Sequence, residues 1–249
     1  MSSRAEQSAY RLKPEGKSMH GRIVRELGLR ILSGDLQPGD RLPNEGELIA
    51  LYEVSRPVLR EAVRVLVAKG LVISRQRSGS VVRPRNEWHL LDPDVLYWMI
   101  RTKPAPDFVH TLMTVRRVFE PAVAALAARA ATDEQIAGIA EAYAGMASAG
   151  NKDELLEPDL AFHRRIAEAT GNDLLAYIGN MLSLALRESI QLSSRLPNTH
   201  ELSLPRHKAI LTALQNRDAL AARHATLVQL EETVEDLSAV ISSTGIDPK

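Results

Sequence analysis

The chain has 249 residues, with 31 Lys and Arg against 31 Asp and Glu, and it contains no Cys. The length fits one or two domains, and the lack of Cys excludes disulfide frameworks, thiolate zinc sites, iron–sulfur clusters and cysteine nucleophiles. No apolar run approaches the ~20 residues of a membrane span, and the polar N-terminus has no apolar signal core, which predicts a cytoplasmic protein. Aromatic residues make up only 4% of the chain, which favours helix over sheet.

The charges are distributed unevenly between the two halves of the chain. Residues 1–89 hold 16 Lys and Arg against 10 Asp and Glu, whereas residues 90–249 hold 15 against 21. A basic front half followed by an acidic back half indicates two domains with different partners. The excess is modest, so a chance distribution of charges is the alternative. The fold predicted for the basic half distinguishes between the two interpretations.

Three helices and a hairpin are predicted in the basic half, preceded by a disordered tail over residues 1–18. Apolar residues recur at helical spacing, glycines end the helices, and Asn44 and Ser55 are suitable N-caps. The predicted elements are helices over 20–33, 45–52 and 55–69, then β-like segments at 71–73 and 80–82. This order predicts a winged helix-turn-helix domain over residues 19–84.

The exposed side of the third helix and the turn of the hairpin are both basic. Opposite the apolar stripe of the helix lie Ser55, Arg56 and Arg60, and arginines near the start of such a helix can reach base edges and phosphates in a major groove. Arg75 and Arg77 lie at the hairpin turn, where they suit phosphate or minor-groove contacts. A solvated basic face is the alternative for any single arginine. The ordered combination predicts binding to double-stranded DNA.

Two motifs in this half are specific enough to carry a family resemblance. Residues 34–43 are Gly-Asp-Leu-Gln-Pro-Gly-Asp-Arg-Leu-Pro, and residues 54–62 are Val-Ser-Arg-Pro-Val-Leu-Arg-Glu-Ala. In this order they resemble the GntR family of bacterial winged-helix transcription regulators. The resemblance implies that Arg56 and Arg60 read the operator. The chain departs from the family pattern at Gly46, where an arginine is frequent, which leaves the operator sequence open.

The back half of the chain is predicted to be helical. Residues 85–106 are expected to form a linker with a short helix, and residues 107–243 to form six or seven helices without a clear strand. Pro121 is expected to break or kink a long helix, and residues 196–204 to form a loop before a helix that begins near Pro205. An antiparallel α-helical bundle is the natural architecture for this pattern, so the fold class is mainly α.

Polar residues on these apolar helices are candidate ligands. Asp159 and His163 lie four residues apart, so they share one helix face. A carboxylate and an imidazole at this spacing can share a divalent metal such as Zn²⁺, Ni²⁺ or Mn²⁺, with His207 as a third ligand. Arg116 can hold a carboxylate within a bundle pocket. Spacing alone favours simpler alternatives, a solvated hydrogen bond between Asp159 and His163 and an intrahelical pair of Arg116 with Glu120.

A second family resemblance covers the back half. Its motifs are Val115-Arg116-x-x-x-Glu120-Pro121, Asp159-x-x-Phe162-His163 and His207-x-x-Ile210-x-x-Ala213-Leu214. They resemble the FCD effector domain of the FadR branch of the GntR family. The resemblance implies that Asp159, His163 and His207 hold a divalent metal, and that this metal and Arg116 together hold a small carboxylate effector. The last histidine ligand of the family falls at Gln229, which is a poor ligand for Zn²⁺. The alternative to a bound metal is therefore a weak, altered or lost metal site, in which polar groups such as Gln229 contact the effector directly.

The linker narrows the expected effector. Residues 84–98, Pro-Arg-Asn-x-Trp-x-x-Leu-Asp-x-Asp-Val-Leu-x-Trp, resemble the linker of family members that repress D-galactonate operons. This resemblance implies a sugar acid such as D-galactonate, whose hydroxyls need polar partners. Arg187 is expected to be one of them, with a helix-surface role as the alternative. We therefore predict a homodimeric repressor, with no membrane partner, that leaves its operator when the acid binds.

Other functions stay open from the sequence. The protein can be an activator, or a regulator that responds to another acid such as lactate, a uronate or a fatty acid. A metal-dependent hydrolase or isomerase built on Asp159, His163 and His207 is a further alternative. Such an enzyme needs an activated water and a general base, and no additional Glu or His lies at a convincing spacing for that role.

Overall fold

The computed structural model describes residues 18–75, 79–102, 105–193 and 199–243. The chain divides into two compact units between Lys103 and Pro104. Helices dominate both units, and the described residues contain a single two-stranded sheet, which belongs to the first. Within these ranges, no helix combines the length and the apolar character that crossing a membrane requires.

The first unit follows the predicted order of three helices and a hairpin, and a fourth helix comes after them. Its elements are α1 (Met19–Ser33), α2 (Glu45–Tyr52), α3 (Arg56–Ala68), β1 (Val72–Arg75), β2 (Gly79–Val82), a 3-10 turn (Arg85–Glu87) and α4 (Pro93–Thr102). The two strands pair antiparallel, with Val72 opposite Val82. Ser18, which was placed in the tail predicted over 1–18, caps α1 by accepting a hydrogen bond from the N–H of Gly21. Residues 1–17 lie outside the described part of the chain.

Local signals in the sequence define the ends of these helices. Asn44 and Glu47 form a reciprocal capping box at the start of α2. Asn44 Oδ1 accepts from the Glu47 N–H at 3.0 Å, and Glu47 Oε2 accepts from the Asn44 N–H at 2.9 Å. Gly34 ends α1 with φ at 91°, a left-handed conformation that glycine adopts at little cost. Ser55 occupies the N-cap position of α3, but its side chain makes no capping hydrogen bond.

The short helix predicted in the 85–106 segment is α4, which packs within the first unit. The Trp98 ring is 1% exposed and lies over Gly28 of α1, where an added Cβ would come within 2.4 Å of the ring. Lys69, the C-cap of α3, donates to Asp92 at 2.8 Å and to Asp94 at 2.5 Å. Helix α4 is therefore fixed to both α1 and the end of α3.

The second unit is a bundle of helices in the part of the chain that the structure describes. The helices are α5 (Ala105–Ala130), α6 (Asp133–Ser148), α7 (Lys152–Glu168), α8 (Asp173–Ser193), α9 (Thr199–Gln215) and α10 (Ala219–Ser243). Helix α5 packs on α10, and the pairs α6–α7 and α9–α10 pack across short connections, as in an antiparallel bundle. Small residues such as Ala127 and Ala128 are fully buried beside Phe162 and Ile210, which lets the helices approach closely. The predicted mainly α fold is confirmed.

Proline proved a poor marker of helix ends in this unit. Helix α9 begins at Thr199, so the loop predicted over 196–204 is wrong for residues 199–204, while 194–198 lie outside the described residues. Helix α5 likewise continues through Pro121. Proline removes one hydrogen bond and breaks an isolated helix, but here apolar neighbours such as Leu204 pack on the core and keep each helix continuous.

Candidate DNA-binding surface and metal centre

The predicted DNA-contacting residues of α3 lie on its exposed side. The buried side consists of Leu59, Ala62 and Leu66. Ser55, Arg56 and Arg60 are exposed, because the apolar residues recur every three to four positions and turn one stripe inward. The first turn of α3 thus presents two arginines and a hydroxyl to solvent, an arrangement that can enter a major groove.

Arg60 also contacts the start of α2. Its Nε lies 3.4 Å from Glu45 Oε1, while the side chain stays 67% exposed. A surface ion pair of this kind is weak, and the guanidinium has further N–H donors for base edges. Arg75 closes β1 opposite Gly79, but its side chain and the whole of Arg77 lie outside the described residues, so their DNA contacts stay predictions.

The three candidate metal ligands of the second unit come together between α7 and α9. Asp159, His163 and His207 each offer one ligand atom, and these atoms lie within 4.8 Å of one another. Asp159 Oδ1 is 3.5 Å from His163 Nε2, which is 3.3 Å from His207 Nε2. Asp159 and His207 are buried, with 6% and 1% exposure. The site is therefore well shielded from solvent, which strengthens its electrostatic interactions.

Each imidazole has an oxygen partner on the side away from the cluster. His207 Nδ1 is 2.9 Å from the carbonyl oxygen of Ser203 and 3.1 Å from its hydroxyl, and His163 Nδ1 is 3.3 Å from Glu120 Oε2. A proton on each Nδ1 would leave the Nε2 lone pair to a cation. Burial lowers the pKa of His207 despite the nearby Asp159 carboxylate, which keeps this imidazole neutral.

This donor set fits a divalent cation. The Nε2 atoms of His163 and His207 are 3.3 Å apart, a contact that a proton or a cation between them stabilises. A carboxylate oxygen and two imidazole nitrogens are ligands that Zn²⁺, Ni²⁺ and Mn²⁺ accept. Three protein ligands also leave coordination positions for water or for an effector.

Arg116 and Glu120 form a buried ion pair on α5. Arg116 Nε is 2.5 Å from Glu120 Oε1, and Nη2 is 3.2 Å from Oε2, with Arg116 only 1% exposed. Burial alone would raise the pKa of Glu120, but Arg116 and His163 hold it well below its ordinary value, so the side chain is a carboxylate. This is the intrahelical pair that spacing favoured. Contact between Arg116 and an effector stays a prediction.

A small cavity of about 30 Å³ adjoins the ligand cluster, which is room for about two water molecules. Its apolar lining includes Phe119, Val123, Ile166, Leu182 and Ile210. Its polar lining among the described residues is Glu120, His163, Ser183 and Thr226. His163 therefore belongs both to the ligand cluster and to the cavity wall.

Gln229 and Arg187 are the two other residues predicted to contact the effector, and their surroundings differ. Gln229 is 5% exposed, and its Oε1 is buried with no hydrogen-bond partner among the described residues. Such an atom costs stability unless a ligand or water satisfies it. Arg187 bonds Glu157 at 2.6 Å with a side chain 39% exposed, which is the helix-surface arrangement given above as its alternative.

The sequence analysis does not predict the two residues that contact the histidines, Glu120 and Ser203. Spacing indicates Glu120 only as the partner of Arg116, although its Oε2 also lies 3.3 Å from His163 Nδ1. Ser203 lies four residues before His207 on α9, so its carbonyl is the regular helical neighbour of that ring. Because residues 196–204 are predicted as a loop, the sequence analysis does not place Ser203 on the same helix as His207.

Comparison with known proteins agrees with this division of the chain. Residues 20–82 match the model of bacterial regulatory proteins of the gntR family, and residues 111–232 match that of the FCD domain. The galactonate operon transcriptional repressor of Escherichia coli K12 is 32% identical over 225 residues, which cover 88% of this chain and 96% of that protein. The HTH-type transcriptional repressor NanR of Klebsiella aerogenes is 30% identical, covering 86% and 84%.

One solved structure supports the fold at a distance. Lar, described as controlling the expression of the Listeria monocytogenes agr system, superposes with a TM-score of 0.62 at 19% identity. The match covers 90% of this chain and 98% of that one. At this identity the likeness concerns the fold alone.

A winged helix followed by a helical bundle defines a class of DNA-binding proteins with a second, helical domain. The chain belongs to the GntR family of bacterial transcription regulators and carries an FCD domain. It is therefore a DNA-binding transcription regulator and not an enzyme, and the hydrolase or isomerase alternative is overturned.

Proposed function

We propose that this protein is a homodimeric repressor whose affinity for its operator falls when a small carboxylate binds the second unit beside a divalent cation. Two winged helices meet two half-sites of a near-palindromic operator. Arg56 and Arg60 contact base edges, and Ser55, Arg75 and Arg77 support them at phosphates or in the minor groove. Analytical ultracentrifugation of the protein, alone and with operator DNA, tests the dimer.

The observation that carries the effector site is the convergence of three ligand atoms beside a cavity. Asp159, His163 and His207 meet within 4.8 Å, and His163 also lines the cavity. These three side chains would hold a Zn²⁺, Ni²⁺ or Mn²⁺ ion. When bound, the ion would supply a positive charge to which a carboxylate can bind.

The charge balance of the site favours a cation. Arg116 is compensated by Glu120 in a one-to-one pair, which leaves Asp159 as the remaining carboxyl group of the cluster. A carboxylate that enters a buried site of the same sign is repelled and loses its hydration. A divalent cation reverses the sign of the site, so cation and effector are expected to bind with positive coupling.

A sugar acid such as D-galactonate is the proposed effector. Its support is the relative named as a galactonate operon repressor and the polar part of the cavity wall. The hydroxyls of Ser183 and Thr226 donate to backbone carbonyls of their own helices, so their oxygens remain able to accept bonds from sugar hydroxyls. Binding must favour one of two conformations of the protein, because a ligand with equal affinity for both shifts nothing.

Thermal unfolding tests this proposal directly. The protein is treated with a chelator, supplied with Zn²⁺, Ni²⁺ or Mn²⁺, and mixed with D-galactonate at about 100 times its dissociation constant. At that concentration a ligand of the folded state adds about 2.7 kcal/mol of stability. We expect a shift that needs both cation and acid, and release of the protein from operator DNA under the same conditions.

Matched ligands make the test specific. D-galactose has similar hydroxyls but no carboxylate, so it is expected to give no shift with the cation. A galactonate-induced shift that persists in the presence of the chelator would contradict the proposed role of the cation, but it would still support the sugar acid as the effector. The absence of a shift with any sugar acid would remove the proposed effector and leave the DNA-binding role intact.

The apolar wall of the cavity favours a second effector class. Most of the lining is hydrocarbon, and burying an apolar chain there is favourable by about 25 cal/mol for each Å² removed from water. A carboxylate with a short apolar chain would therefore also fit. Short fatty acids and lactate belong in the same panel, and a larger shift with them than with D-galactonate would decide for this class.

A further inference from the structure

A third arginine follows Arg56 and Arg60 on the exposed side of α3. Arg64 lies one turn after Arg60, and its side chain is 79% exposed. A spacing of four residues returns close to the same face of a helix. Arg56, Arg60 and Arg64 therefore form one row of basic side chains along the side of α3 that faces solvent.

Glu61 directs the Arg64 side chain towards the start of α3. Arg64 Nη1 donates to Glu61 Oε2 at 3.4 Å, and Glu61 lies three residues nearer the N-terminus of the helix. The contact is long and exposed to solvent, so it contributes little to stability. It engages one of the five N–H donors of the guanidinium. The group thus points to the end of the helix that is expected to enter the groove, with further donors available for an anion.

The length of this row matches the width of the major groove. At a rise of 1.5 Å per residue, Arg64 lies about 12 Å along the helix axis from Arg56. The major groove of B-DNA is about 12 Å wide. When the first turn of α3 contacts base edges, the helix carries Arg64 to the margin of the groove, where the phosphates lie. A guanidinium at the margin suits a charge-assisted hydrogen bond to a phosphate oxygen.

We propose that Arg64 contacts a phosphate of the operator and adds affinity without adding sequence specificity. Phosphates are the same in every sequence, so the contact strengthens binding to operator and to random DNA by the same factor. This inference rests on the role of α3 in the proposed function. It adds a residue to the DNA-binding surface that the sequence prediction did not include.

The salt dependence of DNA binding is the first test. Each phosphate contact contributes about 0.9 to the slope of log affinity against log salt concentration, which corresponds to about eightfold in affinity between 1 M and 0.1 M salt. We expect Arg64→Gln to lower the slope by about 0.9 and to weaken binding about eightfold at 0.1 M salt. Fluorescence anisotropy measures both on duplexes that the wild-type protein selects from a random library. An unchanged slope would overturn the proposal.

The ratio of the affinities for selected and random DNA is the second test. We expect Arg64→Gln to weaken binding to both by the same factor, so the ratio stays as in the wild type. Arg56→Ala and Arg60→Ala are expected to lower the ratio, because these residues contact bases. A lower ratio in Arg64→Gln would mean that Arg64 reads a base, and this result would contradict the proposal.

Arg64→Lys distinguishes a contact that needs charge from one that needs the shape of the guanidinium. Lysine binds a phosphate as a point charge but cannot replace bidentate pairing with a base. We therefore expect Arg64→Lys to keep the wild-type slope and to stay within about twofold of the wild-type affinity. A loss in Arg64→Lys as large as that in Arg64→Gln would argue against the phosphate contact.

Arg129→Gln is the matched control for the loss of charge. Arg129 is exposed in the last turn of α5, in the second unit, so its replacement removes the same charge away from α3. We expect the control to bind DNA like the wild type. An equal loss in Arg129→Gln and Arg64→Gln would reduce the effect to overall charge and overturn the proposal.

Failure of the proposed function gives a different result. If Arg56→Ala and Arg60→Ala bind selected DNA as tightly as the wild type, α3 is not the reading helix and the proposed recognition of the operator fails. If these two variants lose affinity and Arg64→Gln does not, the reading helix stands and only the role of Arg64 fails.

Discussion

At the residue scale, two arginines of α3 carry the proposed recognition of DNA. Arg56 and Arg60 lie one turn apart on the exposed side of the helix, so a single approach to the groove can use both. The Glu45 contact of Arg60 is a surface pair that is expected to give way to a base or a phosphate, because its own contribution to stability is small.

Replacement of either arginine tests this assignment. We expect Arg56→Ala and Arg60→Ala each to weaken operator binding by about 1–3 kcal/mol and to relax specificity at the contacted base pair. Fluorescence anisotropy measures both effects on fragments that the wild-type protein selects from a random DNA library. Arg129→Ala removes the same charge from the other unit and is the control. Unchanged affinity and specificity in both α3 variants would exclude α3 as the reading helix.

At the element scale, α4 belongs with the winged helix because of two specific contacts. The Trp98 ring lies against the backbone of α1 at Gly28, a close approach that only glycine permits. Lys69 joins the end of α3 to Asp92 and Asp94, and these carboxylates raise the pKa of the ammonium despite its burial. The segment from Asp92 to the end of α4 is thus part of the first unit.

Gly28→Ala tests the packing of α4 on α1. The added Cβ would lie 2.4 Å from the Trp98 ring, so the helices must separate, and we expect a loss of about 1–3 kcal/mol in the free energy of unfolding. Urea denaturation followed by circular dichroism measures it. Gly138→Ala on α6 is the control, because its nearest neighbour is 3.7 Å away and alanine favours helix by ~1 kcal/mol. Equal stability of the two variants would argue against this close contact.

At the scale of the whole molecule, the two units carry different spectroscopic probes. The chain has two tryptophans, Trp88 and Trp98, and both lie in the first unit. Tryptophan fluorescence therefore follows the unfolding of the DNA-binding unit, whereas far-ultraviolet circular dichroism follows the helices of both units. This difference makes it possible to measure where a ligand stabilises the protein.

We expect cation and acid together to raise the unfolding transition seen by circular dichroism more than the transition seen by tryptophan fluorescence. A ligand stabilises the cooperative unit that contains its site, and the proposed site lies entirely in the second unit. Thermal scans of one sample with both detectors give the comparison, and Asp159→Asn is expected to remove the difference. A larger shift in fluorescence would mean that the ligand binds the first unit.

Some of the architecture was accessible from the sequence because it depends on neighbours along the chain. The capping box of Asn44 and Glu47 and the left-handed Gly34 are local features, and they define helix ends wherever the chain goes. Pro205 is the counter-example, since its local preference for a helix start was outweighed by packing of the surrounding helix on the core. A local rule fails where burial contributes more free energy than the broken hydrogen bond costs.

The sequence by itself determined the order of the elements, the basic side of α3 and the family to which the chain belongs, because these depend on residue types at fixed short spacings. Only the tertiary structure decided that α7 and α9 bring Asp159, His163 and His207 together, and that Glu120 of α5 lies against His163 of α7. The Arg116–Glu120 and Ser203–His207 contacts each lie within one helix, four residues apart, whereas the contacts that form the cluster join different helices. Their distances follow from how the helices pack, which no spacing along one helix specifies.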